Sequence, residues 1–230
     1  MKETPNALTV SEDFEFGALS LADNYRRALL REFSAPLHGN VLEVGAGIGQ
    51  IIEVVLKSPH ITRLVSIEPH QNFYRQLVGK FPGHTIIHGT FRDAILSINI
   101  LEHIEDDETE LKNHFHCLAK NIGTLCLFVP ARQEIYAGID REFGHFRRYN
   151  RRELRAKLER AGFQILRRRY YNIAGYFAWW LNFCLLKRRH FSADSVRFFD
   201  RCIFPWVYKF ESRVWPPPVG QSLLVEARAQ

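Results

Sequence analysis

The sequence predicts an α/β protein built on a largely parallel sheet with helices on both faces. Three observations carry that prediction. Short apolar runs of strand length alternate with helix-length segments along most of the 230 residues. The first run, Val41-Leu42-Glu43-Val44, passes directly into Gly45-Ala46-Gly47-Ile48-Gly49, a turn with glycine at alternate positions. The second run, Leu64 to Ile67, ends at Glu68, nineteen residues beyond Gly49.

Composition sets the frame. Apolar residues make up 46% and charged residues 24%, the balance of one globular domain with a full core. Residues 1–15 are polar and acidic, which predicts no signal peptide and a cytoplasmic protein. Cys117, Cys126, Cys184 and Cys202 show no C-x-x-C spacing and read as reduced core thiols. No metal-ligand cluster is visible, and no metal is expected. The net charge of +6 conceals a division. Residues 1–130 hold 11 basic against 16 acidic residues (−5), and residues 131–230 hold 20 against 9 (+11). Such a split points either to an anionic partner or to a solvated basic surface.

Taken in order, residues 1–19 read as a mobile segment. Leu21, Tyr25, Leu29 and Phe33 then recur at helical spacing. Pro36 and Gly39 end that helix and lead into the opening strand. Leu42 and its apolar neighbours suit burial on both faces, and the glycines after them permit positive φ and close approach of a ligand. Residues 50–57 have helical length, so their first amides and dipole would face whatever lies over the turn. After the second strand, a helix over 71–80 leads to a third strand at 84–88. A fourth strand runs from Asp93 to Asn99. The acidic run Glu105-Asp106-Asp107-Glu108 opens a helix. A fifth strand occupies 123–129, an amphipathic helix 151–161, and strands six and seven 163–170 and 222–228.

These residues carry a resemblance. The Glu43-to-Gly49 turn, Glu68-Pro69 and Asn99-Ile100-Leu101-Glu102-His103-Ile104 resemble the class I S-adenosylmethionine-dependent methyltransferases. Gly144-His145-Phe146-Arg147-Arg148-Tyr149 and Gly220-Gln221-Ser222-Leu223-Leu224 look like a bacterial subgroup acting on small molecules. The resemblance implies a Rossmann-like three-layer sandwich with a mostly parallel seven-stranded sheet and an antiparallel last strand. The methyltransferase domain would span 20–170 plus 220–230, with a helical insertion at 171–219. It also implies S-adenosylmethionine as cofactor, held by Glu43, Gly45, Ala46, Gly47, Gly49, Glu68, Pro69, Thr90 and Asn99. Glu43 would lie near the methionine ammonium, and Glu68 would accept both ribose hydroxyls. The G-x-G-x-G spacing agrees, because a dinucleotide's pyrophosphate calls for G-x-G-x-x-G instead.

One connection departs from the pattern. Only Gly89-Thr90-Phe91-Arg92 separates the third strand from the fourth. In such a sheet these strands lie two strands apart, a span of at least roughly 20 Å. Four residues reach at most about 14 Å. The third strand is therefore short or frayed, or the loop is cut down, and Thr90 stands where an acidic adenine contact is usual.

His103 and His145 are the candidate catalytic bases, each with a structural role as alternative. Arg147, Arg148 and Tyr149 either grip an anionic substrate group or anchor the helix after them. The insertion holds Tyr176-Phe177-Ala178-Trp179-Trp180-Leu181-Asn182-Phe183-Cys184-Leu185-Leu186 followed by Lys187-Arg188-Arg189. This apolar stretch is too short to span a bilayer. It suits a helix lying on an anionic membrane, here the inner face, or a lid or dimer contact. The expected activity is methyl transfer to a small, lipid-linked or glycan-linked acceptor. RNA as acceptor and a non-catalytic binding or scaffold protein remain the alternatives.

Overall fold

The computed structural model describes residues 21–33, 35, 37–68, 71–85, 94–119, 122–213 and 216–230, with the backbone alone for 71–73. Helix α1 (Asp23–Glu32) leads into β1 (Gly39–Val44), the short α2 (Ile52–Val55), β2 (Ile61–Ile67), α3 (Gln71–Lys80) and β3 (Ala94–Ile98). Then come a 3-10 turn (Leu101–His103), α4 (Asp107–Ala119), β4 (Thr124–Pro130) and a second 3-10 turn (Gln133–Ile135). They are followed by α5 (Gly138–Glu142), α6 (Arg151–Arg160) and β5 (Phe163–Tyr171). Helix α7 (Ile173–Trp179) continues as a π-helix (Trp180–Leu185), and α8 (Ala193–Phe198) runs through a second π-helix (Phe199–Ile203) into α9 (Phe204–Arg213). Strand β6 (Ser222–Ala229) closes the chain.

The six strands form one sheet in the order β2-β1-β3-β4-β6-β5. The β1/β2, β1/β3 and β3/β4 pairs are parallel, and β6 runs antiparallel to both β4 and β5. Alternation along the strands divides the core in two. Leu42, Val65, Ile95, Leu125 and Leu127 meet Leu111 and Leu118 of α4 and Leu154 and Leu158 of α6. Val41, Leu64, Leu96 and Phe128 meet Leu29 of α1, Ile52 of α2, Leu77 of α3 and Phe204 of α9. Both faces of the central strands are covered, which is why their sequences are apolar without interruption. The three-layer architecture is the expected one.

Thr85 makes a single parallel bridge to Val65. Since β1 occupies one side of β2, Thr85 lies on the other, where the third of seven strands was expected. The rest of that strand and the short connection at 89–92 lie outside the described residues, as does the expected N-terminal segment. Two expectations change. The helix after the glycine turn is one turn long, Ile52–Val55, instead of the eight residues 50–57. Ile51, Ile52, Val54 and Val55 are β-branched and lose side-chain freedom in a helix, and Pro59 follows closely. A single turn carries little macrodipole, so the amides facing a ligand belong to the glycine turn itself. Of the four cysteines only Cys126 is buried; Cys117 and Cys202 are exposed.

The insertion is tied to the rest of the molecule by two buried carboxylates. Helix α1 has no side-chain cap of its own. Asp200 supplies one, accepting from the Asn24 and Tyr25 amides at 3.1 and 2.9 Å. Glu211 does the same for α7, accepting from the Asn172 and Ile173 amides at 2.9 and 2.6 Å. Burial raises the Glu211 pKa, against the pull of those amides and of Arg169.

Candidate active site

Strands β1, β3, β4 and β5 point the same way, and each leaves the sheet through a left-handed residue. Gly45 (φ +74°), Asn99 (+51°), Arg132 (+70°) and Asn172 (+63°) all stand at this one rim. For the non-glycine residues that conformation is uncommon and marks backbone held against its preference. The rim carries every described residue expected to take part in function.

The cofactor end is made of backbone. Gly45, Gly47 and Gly49 have φ of +74°, +55° and +80°. A Cβ on Gly45 would lie 2.0 Å from Ile100 Cδ1, and one on Gly49 2.5 Å from the Phe81 ring. The glycines are required by packing as well as by conformation. The Gly47 amide donates to Glu68 Oε2 at 2.7 Å, which fixes the carboxylate at the tip of β2 over the turn. Glu43 is buried in β1 and accepts from Ser66 Oγ at 2.6 Å. Ser66 Oγ also lies 3.1 Å from His84 Nε2. Burial, opposed by the Ser66 hydrogen bond and aided by Glu68, lifts the Glu43 pKa to about 7. Glu43 therefore sits at the edge of protonation, and it favours a cation beside it. Ala46 is buried within the turn and Asn99 is exposed at the end of β3. This set fits S-adenosylmethionine: bare backbone for the methionine portion, a carboxyl for its ammonium and Glu68 for a ribose. Pro69 and Thr90 lie outside the described residues.

Beside it stands a corner made of side chains. Ile100, which covers Gly45, leads directly into the turn that carries Glu102 and His103. The Phe146 amide donates to the Glu102 carbonyl at 2.8 Å, laying the 144–149 segment against that turn. Asp140 is the hub of the corner. Its Oδ2 accepts from the Ala137 amide at 2.8 Å, while Oδ1 takes His145 Nδ1 at 3.1 Å and Arg148 Nε at 2.8 Å. Burial pushes the Asp140 pKa up, but His145 and Arg148 outweigh it and hold the carboxyl below its usual range. An ionised Asp140 accepts only, so Nδ1 of His145 carries the proton and Nε2 faces Glu102 Oε1, 4.0 Å away. The His103 ring meets His145 edge-on at 4.7 Å. His103 is an exposed residue whose ring is crowded by its neighbours; that crowding, and then His145, lower its pKa, so the ring is uncharged at neutral pH. The donor atoms of Glu102, His103 and His145 all lie within 4.8 Å of one another. The expectation that no ligand cluster exists is thereby corrected.

Arg148 and Tyr149 are buried and engaged within the protein. Besides Asp140, Arg148 reaches the Ala131 carbonyl at 3.3 Å and lies 4.2 Å from the Trp179 ring. Tyr149 donates toward Asp107 Oδ2 at 2.9 Å and the Leu101 carbonyl at 3.1 Å. Arg147, partly exposed, pairs with Asp107 at 2.8 Å. Asp107 also takes Lys157 of α6 at 2.6 Å, so the 147–149 segment anchors both flanking helices. The neighbouring tryptophans of the insertion divide. Trp179 is buried, donates to the Ile135 carbonyl at 3.1 Å and packs with Phe183 and Ile139; Trp180 is 45% exposed. Of the three arginines on β5, Arg167 pairs with Glu32 and Glu226, and buried Arg169 with Glu32 at 2.7 Å.

Sequence reading passed over Asp140 and placed no role on Glu102. Nothing marks Asp140 locally; only its partners, five and eight residues on, show its use. An open depression lined by Arg155, Glu159, Gln164 and Arg168 lies along β5, the edge strand farthest from the glycine turn. Its walls bring no catalytic cluster together.

The model of a methyltransferase domain family matches residues 15–168, two thirds of the chain. No curated protein matches the sequence. Among solved structures the fold is similar to a complex between the Haloferax volcanii Trm112 methyltransferase activator and the putative methyltransferase. That match has 13% identity, covers 99% of each chain and gives a TM-score of 0.63. It is also similar to a SAM-dependent methyltransferase from Archaeoglobus fulgidus (14% identity, 90% and 94% covered, TM-score 0.57). A putative sarcosine dimethylglycine methyltransferase from Galdieria sulphuraria matches over 95% and 97% of the two chains, at 12% identity and a TM-score of 0.60. The chain belongs to the methyltransferase domain family and is a class I methyltransferase that uses S-adenosylmethionine.

Proposed function

We propose that the protein methylates a small acceptor, free or carried on a lipid or glycan, that enters at the Glu102–His103–His145 corner. The observation that carries this reading is contact between the two halves of the site. Ile100 seals Gly45 and leads straight into Glu102 and His103, so the cofactor turn and the histidine corner are adjacent. When bound, S-adenosylmethionine supplies an electrophilic methyl group on a sulfonium. Glu43, Gly45, Ala46, Gly47, Gly49, Glu68 and Asn99 hold it. Methyl transfer mainly requires alignment, and proton removal from the acceptor adds to it. His103, on the open side, and His145, oriented by Asp140, are the groups placed to take that proton. Arg148 and Tyr149 serve the site by anchoring the loop that carries His145. The 171–219 insertion caps this corner through Trp179 and Phe183.

The insertion's outward surface supports a lipid-linked acceptor. Phe177, Trp180, Leu185, Phe198, Trp206 and Phe210 are all more than 40% exposed. Seven Lys or Arg residues between Lys187 and Arg213 are exposed beside them, with Asp194 the one exposed acid on these helices. Apolar side chains with a basic fringe suit the surface of an anionic bilayer, with peripheral binding. No helix among the described residues is long and apolar enough to cross a membrane. The basic half lends less to an RNA partner, because Arg148, Arg167 and Arg169 pair internally.

Calorimetric titration tests the first part: S-adenosylmethionine should bind one to one, and Glu68→Ala should weaken it at least tenfold. A folded protein without affinity for it would overturn the reading. Flotation with phosphatidylglycerol vesicles, set against phosphatidylcholine vesicles and a structured RNA, tests the second. Salt-sensitive binding to RNA alone would favour the RNA alternative.

A further inference from the structure

The geometry points to a divalent-cation site formed by Glu102, His103 and His145, with an acceptor oxygen as the remaining ligand. Two imidazoles and one carboxylate are a donor set that suits first-row divalent metals, and three protein ligands leave positions for substrate. The set is assembled from two segments, and backbone contacts fix their relation. The Phe146 amide is bonded to the Glu102 carbonyl at 2.8 Å, and the His145 amide to the Asp140 carbonyl at 2.9 Å. A metal-binding histidine needs its second nitrogen committed elsewhere, and Asp140 Oδ1 meets that need at 3.1 Å from His145 Nδ1. Arg148, at 2.8 Å on the same carboxylate, keeps Asp140 an acceptor and balances its charge. The lone pair of His145 Nε2 is left facing Glu102 Oε1 at 4.0 Å.

The present spacing, up to 4.8 Å between donor atoms, is wider than a bound ion imposes. Metal–ligand bonds of about 2.1 Å put tetrahedral ligands roughly 3.4 Å apart. Closing the difference takes about 1 Å of side-chain movement. His103, at an exposed position, supplies most of it, and the Glu102–His145 pair, now 4.0 Å apart, must close by roughly half an ångström as well. With an ion bound, both histidines are ligands and the acceptor hydroxyl loses its proton to water on the open side. Without one, the histidines themselves take the proton, so chelation should slow methyl transfer in the first mode and leave the second unchanged. The ion's role in acceptor binding rests on the methyltransferase reading; its binding does not.

The test uses the full chain and two probes, Mn²⁺ followed by the loss of its free-ion paramagnetic resonance signal and Co²⁺ followed by its d–d absorption. Two exposed thiols, Cys117 and Cys202, are why zinc is avoided, and a thiolate charge-transfer band from Co²⁺ identifies their interference. One ion per chain is expected. His103→Ala, at an exposed position, and the isosteric Glu102→Gln should each weaken it by at least about tenfold, the smallest loss usual even for groups that only orient a ligand. Both variants should keep their affinity for S-adenosylmethionine. Absence of binding with both ions, or binding that neither substitution weakens, overturns the site. Either outcome leaves the cofactor titration untouched, so failure of the metal and failure of the methyltransferase reading are told apart.

Discussion

The glycine turn after β1 and the corner built by residues 101–107 and 131–213 form one rim by opposite means. The turn works by removing side chains: three left-handed glycines let Ile100 and Phe81 close on bare backbone, and two carboxyls stand at its border. The corner works by crowding charged side chains into a buried network around Asp140, then roofing it with Trp179. The difference teaches where each should fail. A turn of backbone fails when atoms are added, and a network of buried charge fails when one partner is taken away.

The largest effect is expected at Asp140. Removing a buried carboxylate strands the Arg148 guanidinium, and breaking such a pair typically destabilises by about 3–5 kcal/mol. Asp140→Ala should lower the denaturant midpoint accordingly. Trp179→Ala, which uncovers the same guanidinium, should cost a similar amount by the usual penalty for truncating a buried tryptophan. A loss under about 1 kcal/mol for Asp140→Ala would mean that the corner does not depend on its charges as described.

The turn makes a prediction in pH. Glu43 holds its proton to about pH 7 in the folded protein, against 4.5 for the ordinary carboxyl. The folded state therefore binds a proton that the unfolded chain releases in between. Its contribution to stability is present below about pH 4.5 and is lost as pH rises through 7, by about 3 kcal/mol in all. Denaturation of wild type and Glu43→Gln at about pH 5 and pH 8 should show a steeper decline for wild type. Parallel declines would remove the basis for calling Glu43 a buried, nearly neutral carboxyl.

Gly45→Ala follows in size. The new methyl would meet Ile100 Cδ1 at 2.0 Å in a backbone of φ +74°, and such strain costs of order 1–3 kcal/mol. Pairing it with Ile100→Ala should relieve the clash and leave the backbone cost. A double variant no more tolerant than Gly45→Ala alone would place the whole effect in the backbone.

These contrasts also show what the sequence could reveal. Core strands were legible to within about three residues, because burial on both faces leaves Val41, Leu42 and Ile95 no polar option. The glycine turn was legible because its chemistry is local. The helix after it was overread, since apolar spacing registers Ile51 and Val55 without their branching at Cβ. The corner was mostly hidden. Glu102 meets His145 across 43 positions, Asp107 meets Lys157 across 50, and Asp200 caps α1 across about 175. No periodicity links such pairs. A count of charges likewise gave +11 for the basic half without separating the buried Arg148 and Arg169 from the exposed Arg188.

The smallest expected change in stability divides the corner itself. Trp179 and Trp180 are adjacent, yet one is 6% and the other 45% exposed. On a helix neighbouring side chains point about 100° apart, so a pair of tryptophans cannot serve one surface. Trp180→Ala should alter stability by less than about 0.5 kcal/mol, as surface changes usually do. If the outward face of the insertion rests on an anionic bilayer, the same substitution should weaken flotation with phosphatidylglycerol vesicles, and added salt should weaken it further by screening Lys187, Arg188 and Arg189. An unchanged affinity for vesicles, or a loss of stability comparable to that of Trp179→Ala, would show that Trp180 belongs to the roof and that the bilayer is not what this face meets.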